Sequence, residues 1–260
     1  MDLSLQGKVI LVTGGAKGIG AAIVHACGKE GGIPVIFDRD EISIRSLQKK
    51  LSGSGITSDA VQVELTDHSV LVPAIQSIEQ KFGRIDGLVN NAGLNDGVGL
   101  EHGSPEQFAT SLQRNLVHYY TMAQAALPFL KQSQGCVVNI ASKVAVTGQG
   151  GTSGYAASKG AILELTNDWA DELSQFGIRV NAVVPAEVIT PQYQTWVAQF
   201  GAPEEKLRTI ASTIPLGRRM TEPDEIASMV VFLLSKKSGG VNGQNLFVDG
   251  GYVHLDRRLT

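Results

Sequence analysis

A phenol and an amine spaced one helical turn apart are the residues of this sequence best suited to proton transfer. Tyr155 and Lys159 are four positions apart in a stretch that predicts a helix, so their side chains lie on one face. A free phenol has a pKa of about 10 and is a poor base at neutral pH. A neighbouring ammonium favours the phenolate, and we expect Lys159 to lower the pKa of Tyr155. Ser142, just beyond a predicted strand, can hydrogen-bond the oxygen that reacts there.

A glycine-rich turn is the second chemical feature. The run Thr13-Gly14-Gly15-Ala16-Lys17-Gly18-Ile19-Gly20 separates the first predicted strand from an amphipathic helix. Glycines let the backbone approach a pyrophosphate closely, and a helix N-terminus offers free N–H groups. The spacing is G-x3-G-x-G, not the more familiar G-x-G-x-x-G, and an ordinary turn is the alternative interpretation. We expect a dinucleotide site that includes Gly14, Lys17, Gly18, Ile19 and Gly20.

An acidic residue at the end of the second predicted strand indicates which dinucleotide binds. Asp38 stands where a carboxylate accepts hydrogen bonds from the adenosine ribose diol. The same charge repels a 2′-phosphate, which favours NAD over NADP. Lys17 and Arg39 keep NADP possible, since either cation is able to meet an extra phosphate, although we interpret Arg39 as a solvated surface charge.

The elements that must position these residues follow from short β-branched runs that alternate with longer amphipathic stretches. This alternation predicts βαβ crossovers and a single Rossmann-type α/β domain with a doubly wound parallel sheet. Residues 186–215 interrupt the rhythm with several prolines and aromatics and no strand, so we expect a substrate lid there. The predicted strands are 8–12, 33–37, 60–63, 87–89, 136–140, 178–184 and 245–248, and the predicted helices are 18–30, 41–52, 67–82, 105–132, 154–176 and 222–235. The clearest helix start is Thr221, with its hydroxyl as the cap.

Composition excludes several classes of function. The 260 residues carry a net charge of −3 with 43% hydrophobic and 18% charged residues, which argues against a nucleic-acid partner and against disorder. We expect no membrane span, because long apolar runs are missing, and the first residues lack the pattern of a signal peptide. Two cysteines fit a reducing, cytoplasmic location. The five histidines show no metal-ligand spacing, so we expect no metal.

Taken together, the motifs resemble those of the short-chain dehydrogenase/reductase family. The resemblance spans residues 5–252 and includes Asn90-Asn91-Ala92-Gly93 after the fourth strand and Val248-Asp249-Gly250-Gly251 near the end. It implies a seven-stranded sheet, a homotetramer and an NAD(P)-dependent oxidoreductase. It implies the catalytic residues Asn115, Ser142, Tyr155 and Lys159, with Asn90 steadying the central strand. It further implies cofactor contacts from Glu64, Leu65, Asn91, Ala92, Gly93, Tyr155, Lys159, Pro185, Val188 and Thr190.

Two positions depart from the family pattern. Glu64 stands where the family usually has aspartate, at the position that contacts adenine. Ala186 replaces the usual glycine after Pro185, which alters the floor beneath the nicotinamide.

Polar residues surround the expected substrate position. Unpaired polar groups facing a lipid lose hydration without compensation, whereas a sugar offers hydroxyls to each of them. Any one of these side chains more often caps a turn, but as a set they favour a polyhydroxylated ligand. Tyr193 and Trp196 either pack the lid or contact the substrate. The residues we expect at the substrate are Asn95, Lys143, Gln149, Glu187, Tyr193 and Trp196.

Within the family, four segments look like those of bacterial L-fucose dehydrogenases: 90–97, 146–155, 185–188 and 252–257. This resemblance implies oxidation of the anomeric hydroxyl of L-fucose, or a related aldose, to a lactone. A reductase of 3-oxoacyl thioesters or another carbonyl is the alternative enzyme, and a non-catalytic dinucleotide-sensing protein is the alternative of another class. The tail 254–258 either reaches a neighbouring subunit's pocket or is a frayed terminus.

Overall fold

Seven parallel strands form one sheet at the centre of the chain. The computed structural model describes residues 3–255. The strand order is β3-β2-β1-β4-β5-β6-β7, so the direction of winding reverses between β1 and β4. Ligands of such sheets bind at the carboxyl ends of the strands beside that reversal. The strands are β1 (Val9–Thr13), β2 (Ile33–Asp38), β3 (Asp59–Gln62), β4 (Gly87–Asn90), β5 (Cys136–Ile140), β6 (Arg179–Pro185) and β7 (Asn245–Val248).

The central strands are apolar on both faces because helices cover both sides. Every residue of β1, β4 and β5 is buried. Alternate residues of one strand enter different clusters, Leu11 with one face and Val12 with the other. Burial on both faces is typical of parallel sheets. It explains why these runs carry no alternating polar residues.

Helices α1, α2 and α9 pack on one face of the sheet, and α3, α5 and α6 pack on the other. Two further short helices, α7 and α8, lie in the segment that follows β6. Within residues 3–255, no helix is long and apolar enough to cross a lipid bilayer. The helices are α1 (Gly18–Lys29), α2 (Glu41–Gly53), α3 (His68–Phe82), α4 (Pro105–Leu112), α5 (His118–Ser133), α6 (Ser153–Ser174), α7 (Pro191–Val197), α8 (Pro203–Ser212) and α9 (Pro223–Leu234).

The seven-stranded α/β prediction is confirmed, and two local predictions are wrong. The helix predicted over 105–132 is two helices, α4 and α5, joined by a π-helical segment at Gln113–Val117. Thr221 does not cap α9. The N-cap is Glu222, whose N–H donates to Glu225 Oε2 at 2.8 Å.

Thr221 instead anchors the lid predicted over 186–215. It forms a parallel bridge with Val188. Its N–H donates to the carbonyl of Glu187 at 2.9 Å, and its carbonyl accepts the N–H of Ile189 at 3.0 Å. The two ends of the segment that carries α7 and α8 therefore lie side by side.

Candidate active site

An open cleft of about 1410 Å³ follows the carboxyl ends of the strands from the β1–α1 turn to the lid. Two of the residues predicted for the site, Gly20 and Asn115, do not line it. Those that do are Gly14, Lys17, Gly18, Ile19, Asp38, Glu64, Leu65, Asn91, Ala92, Gly93, Asn95, Ser142, Lys143, Gln149, Tyr155, Lys159, Pro185, Glu187, Val188, Thr190, Tyr193 and Trp196. The lining therefore joins the predicted cofactor, catalytic and substrate residues in one continuous space.

The β1–α1 turn forms a cradle that side chains would fill. Gly14 has a φ of +61°, and a Cβ added there would lie 3.0 Å from the Cα of Ala92. A Cβ on Gly20 would lie 2.1 Å from the carbonyl oxygen of Gly14, so Gly20 lets α1 pack against the turn from behind. Lys17, at the N-cap of α1, makes no side-chain capping hydrogen bond among the described residues. The N-terminus of α1 is thus left open to an anion, as pyrophosphate binding requires.

Thr13 and Asn91 hold the cradle together. The hydroxyl oxygen of Thr13 accepts the N–H groups of Asn91 at 2.9 Å and Ala92 at 3.1 Å. The amide of Asn91 donates to the carbonyls of Thr13 at 2.9 Å and Gly14 at 3.2 Å. The Asn91 side chain therefore supports the turn. Thr13 was missing from the predicted site residues, although its position at the end of β1 is the signal that identifies it.

At the expected ribose position, Asp38 is oriented by backbone groups. Its carboxylate accepts the N–H of Ala16 at 3.0 Å and that of Asp40 at 3.0 Å. Each carboxylate oxygen keeps a second lone pair, so the group still has acceptor capacity for a diol.

The two cations near Asp38 are already paired with carboxylates. Lys17 forms an ion pair with Asp40, and its hydrogen bond lowers the pKa of Asp40 to about 2. Arg39, which we interpreted as a solvated charge, lies 3.2 Å from Glu64 while its side chain stays largely exposed. Glu64 in turn accepts the hydroxyl of Thr66 at 3.2 Å.

Ser142 and Tyr155 meet at the centre of the cleft. Ser142 follows β5 after one residue, and Tyr155 lies in the first turn of α6. Burial raises the pKa of Tyr155 to about 12, and a hydrogen bond with Ser142 opposes part of that rise. The direction is opposite to the one predicted from the sequence, because desolvation is the largest cause of the shift.

Lys159 lies one turn further along α6, on the same face. Its Nζ is 5.6 Å from the centre of the Tyr155 ring. The amine donates to the hydroxyl oxygen of Tyr119 at 3.0 Å and to the carbonyl of Ile140 at 2.7 Å. Burial lowers the pKa of Lys159 to about 7. Tyr119 was missed by the sequence analysis, which predicted a helix over 105–132 and gave this residue no role.

Asn115 supports the site from behind the cleft. It is fully buried in the π-helical segment. Its Oδ1 accepts the N–H of Leu94 at 2.7 Å, and its Nδ2 donates to the carbonyl of Ser111 at 3.0 Å. A Cβ on Gly93 would lie 3.3 Å from Asn115 Oδ1 and 3.4 Å from Lys159 Nζ. Asn115 and Lys159 therefore converge behind the bare backbone of Gly93.

Asn90 links the strands beside that convergence. Its Nδ2 donates to Oδ1 of Asn139 on β5 at 3.1 Å. Asn139 in turn donates to the hydroxyl of Thr166 on α6 at 3.0 Å. These side chains join β4 and β5 to the helix that carries Tyr155.

At the lid end, polar side chains form a connected network. Lys143 and Glu187 form an ion pair whose side chains are 11% and 12% exposed. Tyr193, from α7, donates its hydroxyl to Glu187 Oε2 at 2.8 Å. The Lys143 Nζ also lies 4.2 Å from the centre of the Tyr252 ring. Gln149 lines both this region and an adjoining cavity of about 380 Å³.

The remaining predicted lid and loop residues stabilise the segments that line the cleft. Asn95 accepts the N–H of Gly97 at 3.3 Å and so stabilises its own turn. Thr190 caps α7 by accepting the N–H of Tyr193 at 3.1 Å. Trp196 packs edge-on against Tyr193, with ring centres 5.3 Å apart, and is 43% exposed.

The chain is similar to known proteins over nearly its whole length. The family model described as Enoyl-(Acyl carrier protein) reductase matches residues 14–253. A 3-oxoacyl-[acyl-carrier-protein] reductase of Thermotoga maritima is 36% identical over 96% of this chain and 100% of its own length. An L-fucose dehydrogenase of Oryctolagus cuniculus is 37% identical over 94% of this chain and 84% of its own length. The solved structure of Cj0485 dehydrogenase is 44% identical, with a TM-score of 0.94 over 100% of this chain and 99% of that one.

The open N-terminus of α1, the bare glycine cradle and the oriented Asp38 fit a dinucleotide. A variant of actinorhodin polyketide ketoreductase, solved with NADPH, has the same fold with 29% identity and a TM-score of 0.91 over 95% of this chain and 98% of that one. The chain belongs to the short-chain dehydrogenase/reductase family, whose members are NAD(P)-dependent oxidoreductases acting on CH–OH groups.

Proposed function

We propose that this enzyme oxidises the anomeric hydroxyl of L-fucose or a related aldose to its lactone, with NAD as the acceptor. The observation that carries the proposal is the polar network of Lys143, Glu187 and Tyr193 beside Ser142. A buried ion pair at the substrate position keeps lone pairs and N–H groups that sugar hydroxyls satisfy. An acyl chain placed there would leave these groups desolvated and unpaired.

The proposed chemistry assigns one task to each catalytic side chain. Tyr155 removes the proton of the C1 hydroxyl, and Ser142 hydrogen-bonds the same oxygen and orients it. Lys159, when charged, stabilises the phenolate against the desolvation that raises the pKa of Tyr155. Asn115 keeps the backbone at Leu94 in place behind the site. Bound NAD supplies the hydride acceptor.

The preference for NAD rests on charge. In this proposal Asp38 accepts the hydroxyls of the adenosine ribose and repels a 2′-phosphate, since two unit charges about 4 Å apart repel by roughly 4 kcal/mol at an effective dielectric near 20. Lys17 and Arg39 are engaged by Asp40 and Glu64, so recruiting either cation to a 2′-phosphate requires breaking an ion pair.

Reduction of 3-oxoacyl thioesters is the second candidate. The Thermotoga maritima reductase supports it, because its identity to this chain is 36% against 37% for the rabbit L-fucose dehydrogenase. A non-catalytic dinucleotide sensor is disfavoured, because Ser142, Tyr155 and Lys159 converge in one cleft.

Initial rates separate the two candidates. The purified enzyme is given a panel of L- and D-aldoses with NAD and with NADP, and a 3-oxoacyl thioester with NADH and with NADPH. We expect the highest kcat/KM for L-fucose or an aldose of the same configuration with NAD. Faster turnover of the thioester than of every aldose would overturn the proposal. The Tyr155→Phe variant serves as the control for contaminating activity.

We also propose that the enzyme is a homotetramer. The argument is the surface of α5 and α6, where Tyr120 is 51% exposed and its ring packs on Trp169 at 6.4 Å. Long helices that keep aromatics at the surface commonly pair between subunits. Light scattering of the eluting protein should give a mass four times 27.6 kDa, and a monomer mass would contradict the proposal.

A further inference from the structure

We propose that Tyr119 is a positioning residue for Lys159: its hydroxyl oxygen accepts an N–H of Lys159 and fixes the amine beneath the reacting centre. The inference rests on the catalytic role given to Lys159 in the proposed function. It adds a second buried tyrosine to a site whose chemistry otherwise depends on Tyr155.

The hydrogen bonds fix the direction of each donor. The hydroxyl of Tyr119 donates to the carbonyl of Ile140 at 2.9 Å, so its proton is committed there. Its oxygen lone pairs are left for Lys159, whose amine lies 3.0 Å away. Lys159 also donates to the carbonyl of Ile140 at 2.7 Å. Tyr119, Lys159 and the carbonyl of Ile140 thus form a triangle of hydrogen bonds. An ammonium has three N–H groups, so two are used in this triangle and one remains for the cleft.

The triangle is held rigidly. Tyr119 is fully buried on α5, four residues after Asn115, and its carbonyl accepts the side-chain amide of Asn90 at 3.4 Å. The ring of His118 lies 4.9 Å from its ring. Ile140 ends β5 two residues before Ser142. The same carbonyl therefore ties the phenol and the amine to the strand that delivers Ser142.

The charge of Lys159 depends on these oxygen atoms. The titratable groups around it are Tyr155 on its own helix and His118 and Tyr119 on α5. Burial lowers the pKa of His118 to about 4, so that group is neutral at pH 7. Burial also raises the pKa of Tyr119 well above its usual range, so it stays a phenol. With its titratable neighbours uncharged, the ammonium depends on the two oxygen acceptors for stabilisation, and removing one favours neutral Lys159.

The test compares Tyr119→Phe with the unmodified enzyme. Phenylalanine keeps the ring and removes only the hydroxyl. A hydrogen bond to a charged group in a buried site changes its pKa by roughly one unit or more. We therefore expect the proton affinity of Lys159 to fall at least about tenfold. NMR of its Cε and Nζ measures this as a lower pKa. We expect kcat to fall about 10- to 100-fold, with the basic limb of its pH profile, where the charge of Lys159 is lost, moved to lower pH.

Tyr120→Phe is the matched control, because it makes the same change at the next residue, where the hydroxyl accepts from Gln124 and the side chain is half exposed. It should leave the Lys159 pKa and the pH profile unchanged. An unchanged Lys159 pKa in Tyr119→Phe would overturn the proposal, as would equal pH profiles for the two variants.

A measurement on the unmodified protein keeps the proposal falsifiable if Tyr119→Phe does not fold. The ¹³Cζ resonance of Tyr119 should titrate with the midpoint of Lys159, since its oxygen accepts the N–H that is lost. A flat Cζ trace through that midpoint would overturn the proposal. Both NMR experiments use no substrate, so they stand or fall independently of whether L-fucose is the sugar.

Discussion

At the scale of single residues, the two central groups of the site are both held away from their usual protonation equilibria. Burial raises the pKa of Tyr155 to about 12 and lowers that of Lys159 to about 7. Each shift disfavours the charged form, whereas the proposed chemistry needs a phenolate beside an ammonium. At pH 7 the site therefore keeps Tyr155 neutral and leaves Lys159 only partly protonated, so a bound ligand must supply further contacts to the charged forms.

Removal of the Tyr155 hydroxyl tests its role as the base. In Tyr155→Phe we expect kcat to fall by roughly 10²- to 10⁴-fold, because proton transfer loses its acceptor. Binding of NAD should be unaffected, and fluorescence titration with NADH measures it. Turnover comparable to that of the unmodified enzyme would refute the assignment.

Replacement of Lys159 should make the protein more stable while removing its activity. The pKa is about 7 when folded against 10.5 for an unperturbed lysine, so the folded state binds fewer protons between these values and stability rises with pH across that window. Below pH 7 the folded protein bears the full cost of the buried charge. We expect Lys159→Met to add about 1–3 kcal/mol to the free energy of unfolding at pH 6, with the gain shrinking towards pH 10.

Urea unfolding at several pH values measures this effect. Lys49→Met, at an exposed position on α2, is the control and should show no pH-dependent gain. A loss of stability in Lys159→Met at pH 6 would contradict the prediction and would mean that the bonds to Tyr119 and Ile140 outweigh desolvation.

At the scale of elements, the sequence predicts regular structure well and irregular structure poorly. The strands and most helices follow from periodicity, since each apolar run has a length that only one element satisfies. The π-helical segment at Gln113–Val117 has no such signature, because its residues also suit an α-helix. Glu222, and not the predicted Thr221, is the N-cap of α9, because the backbone of Thr221 forms a bridge with Val188.

A methyl group at Gly20, in the first turn of α1, tests whether the helix must pack closely against the β1–α1 turn. A Cβ on Gly20 would lie 2.1 Å from the carbonyl oxygen of Gly14, so the turn or the helix must move. We expect Gly20→Ala to lower the free energy of unfolding by about 1–3 kcal/mol and to weaken NAD binding at least about tenfold. Isothermal titration calorimetry and thermal unfolding measure the two effects.

Gly53→Ala is the matched control, because nothing lies within 4 Å of its added Cβ at the end of α2. It should leave NAD binding unchanged and stabilise slightly. If Gly20→Ala bound NAD normally, the close packing of α1 on the turn would not be needed for the cofactor site.

At the scale of the whole molecule, one sheet edge collects groups from distant parts of the chain. The motifs predicted which residues meet there, because all strands of a parallel sheet end at the same edge. The sequence did not predict which charged side chains form ion pairs around the cleft. These pairs depend on loop paths that no periodicity records: Lys143 with Glu187, Lys17 with Asp40 and Arg39 with Glu64.

Global stability should report which dinucleotide binds. A ligand that binds only the folded chain stabilises it by roughly 2.7 kcal/mol at a hundredfold excess over its Kd, so NAD should raise Tm more than NADP at equal concentration. Asp38→Asn removes the charge that opposes a 2′-phosphate and should narrow that difference or reverse it. Differential scanning fluorimetry measures it. A larger shift with NADP in the unmodified protein would contradict the assignment of NAD.

The bridge between Val188 and Thr221 brings the two ends of the lid to one point on the scaffold. The stretch between them makes a further backbone contact with the scaffold, where the N–H of Leu216 donates to the carbonyl of Gly250 at 3.0 Å, and the sheet, the glycine cradle and the Ser142–Tyr155 pair lie outside it. The sequence of the intervening stretch can therefore change in evolution while the sheet, the glycine cradle and the Ser142–Tyr155 pair stay in place. A protein engineer can use the same boundary: a foreign loop in place of residues 191–213 keeps Thr190 and the contact of Leu216 with Gly250, and should alter which alcohol is accepted while leaving the sheet, the glycine cradle and the Ser142–Tyr155 pair intact.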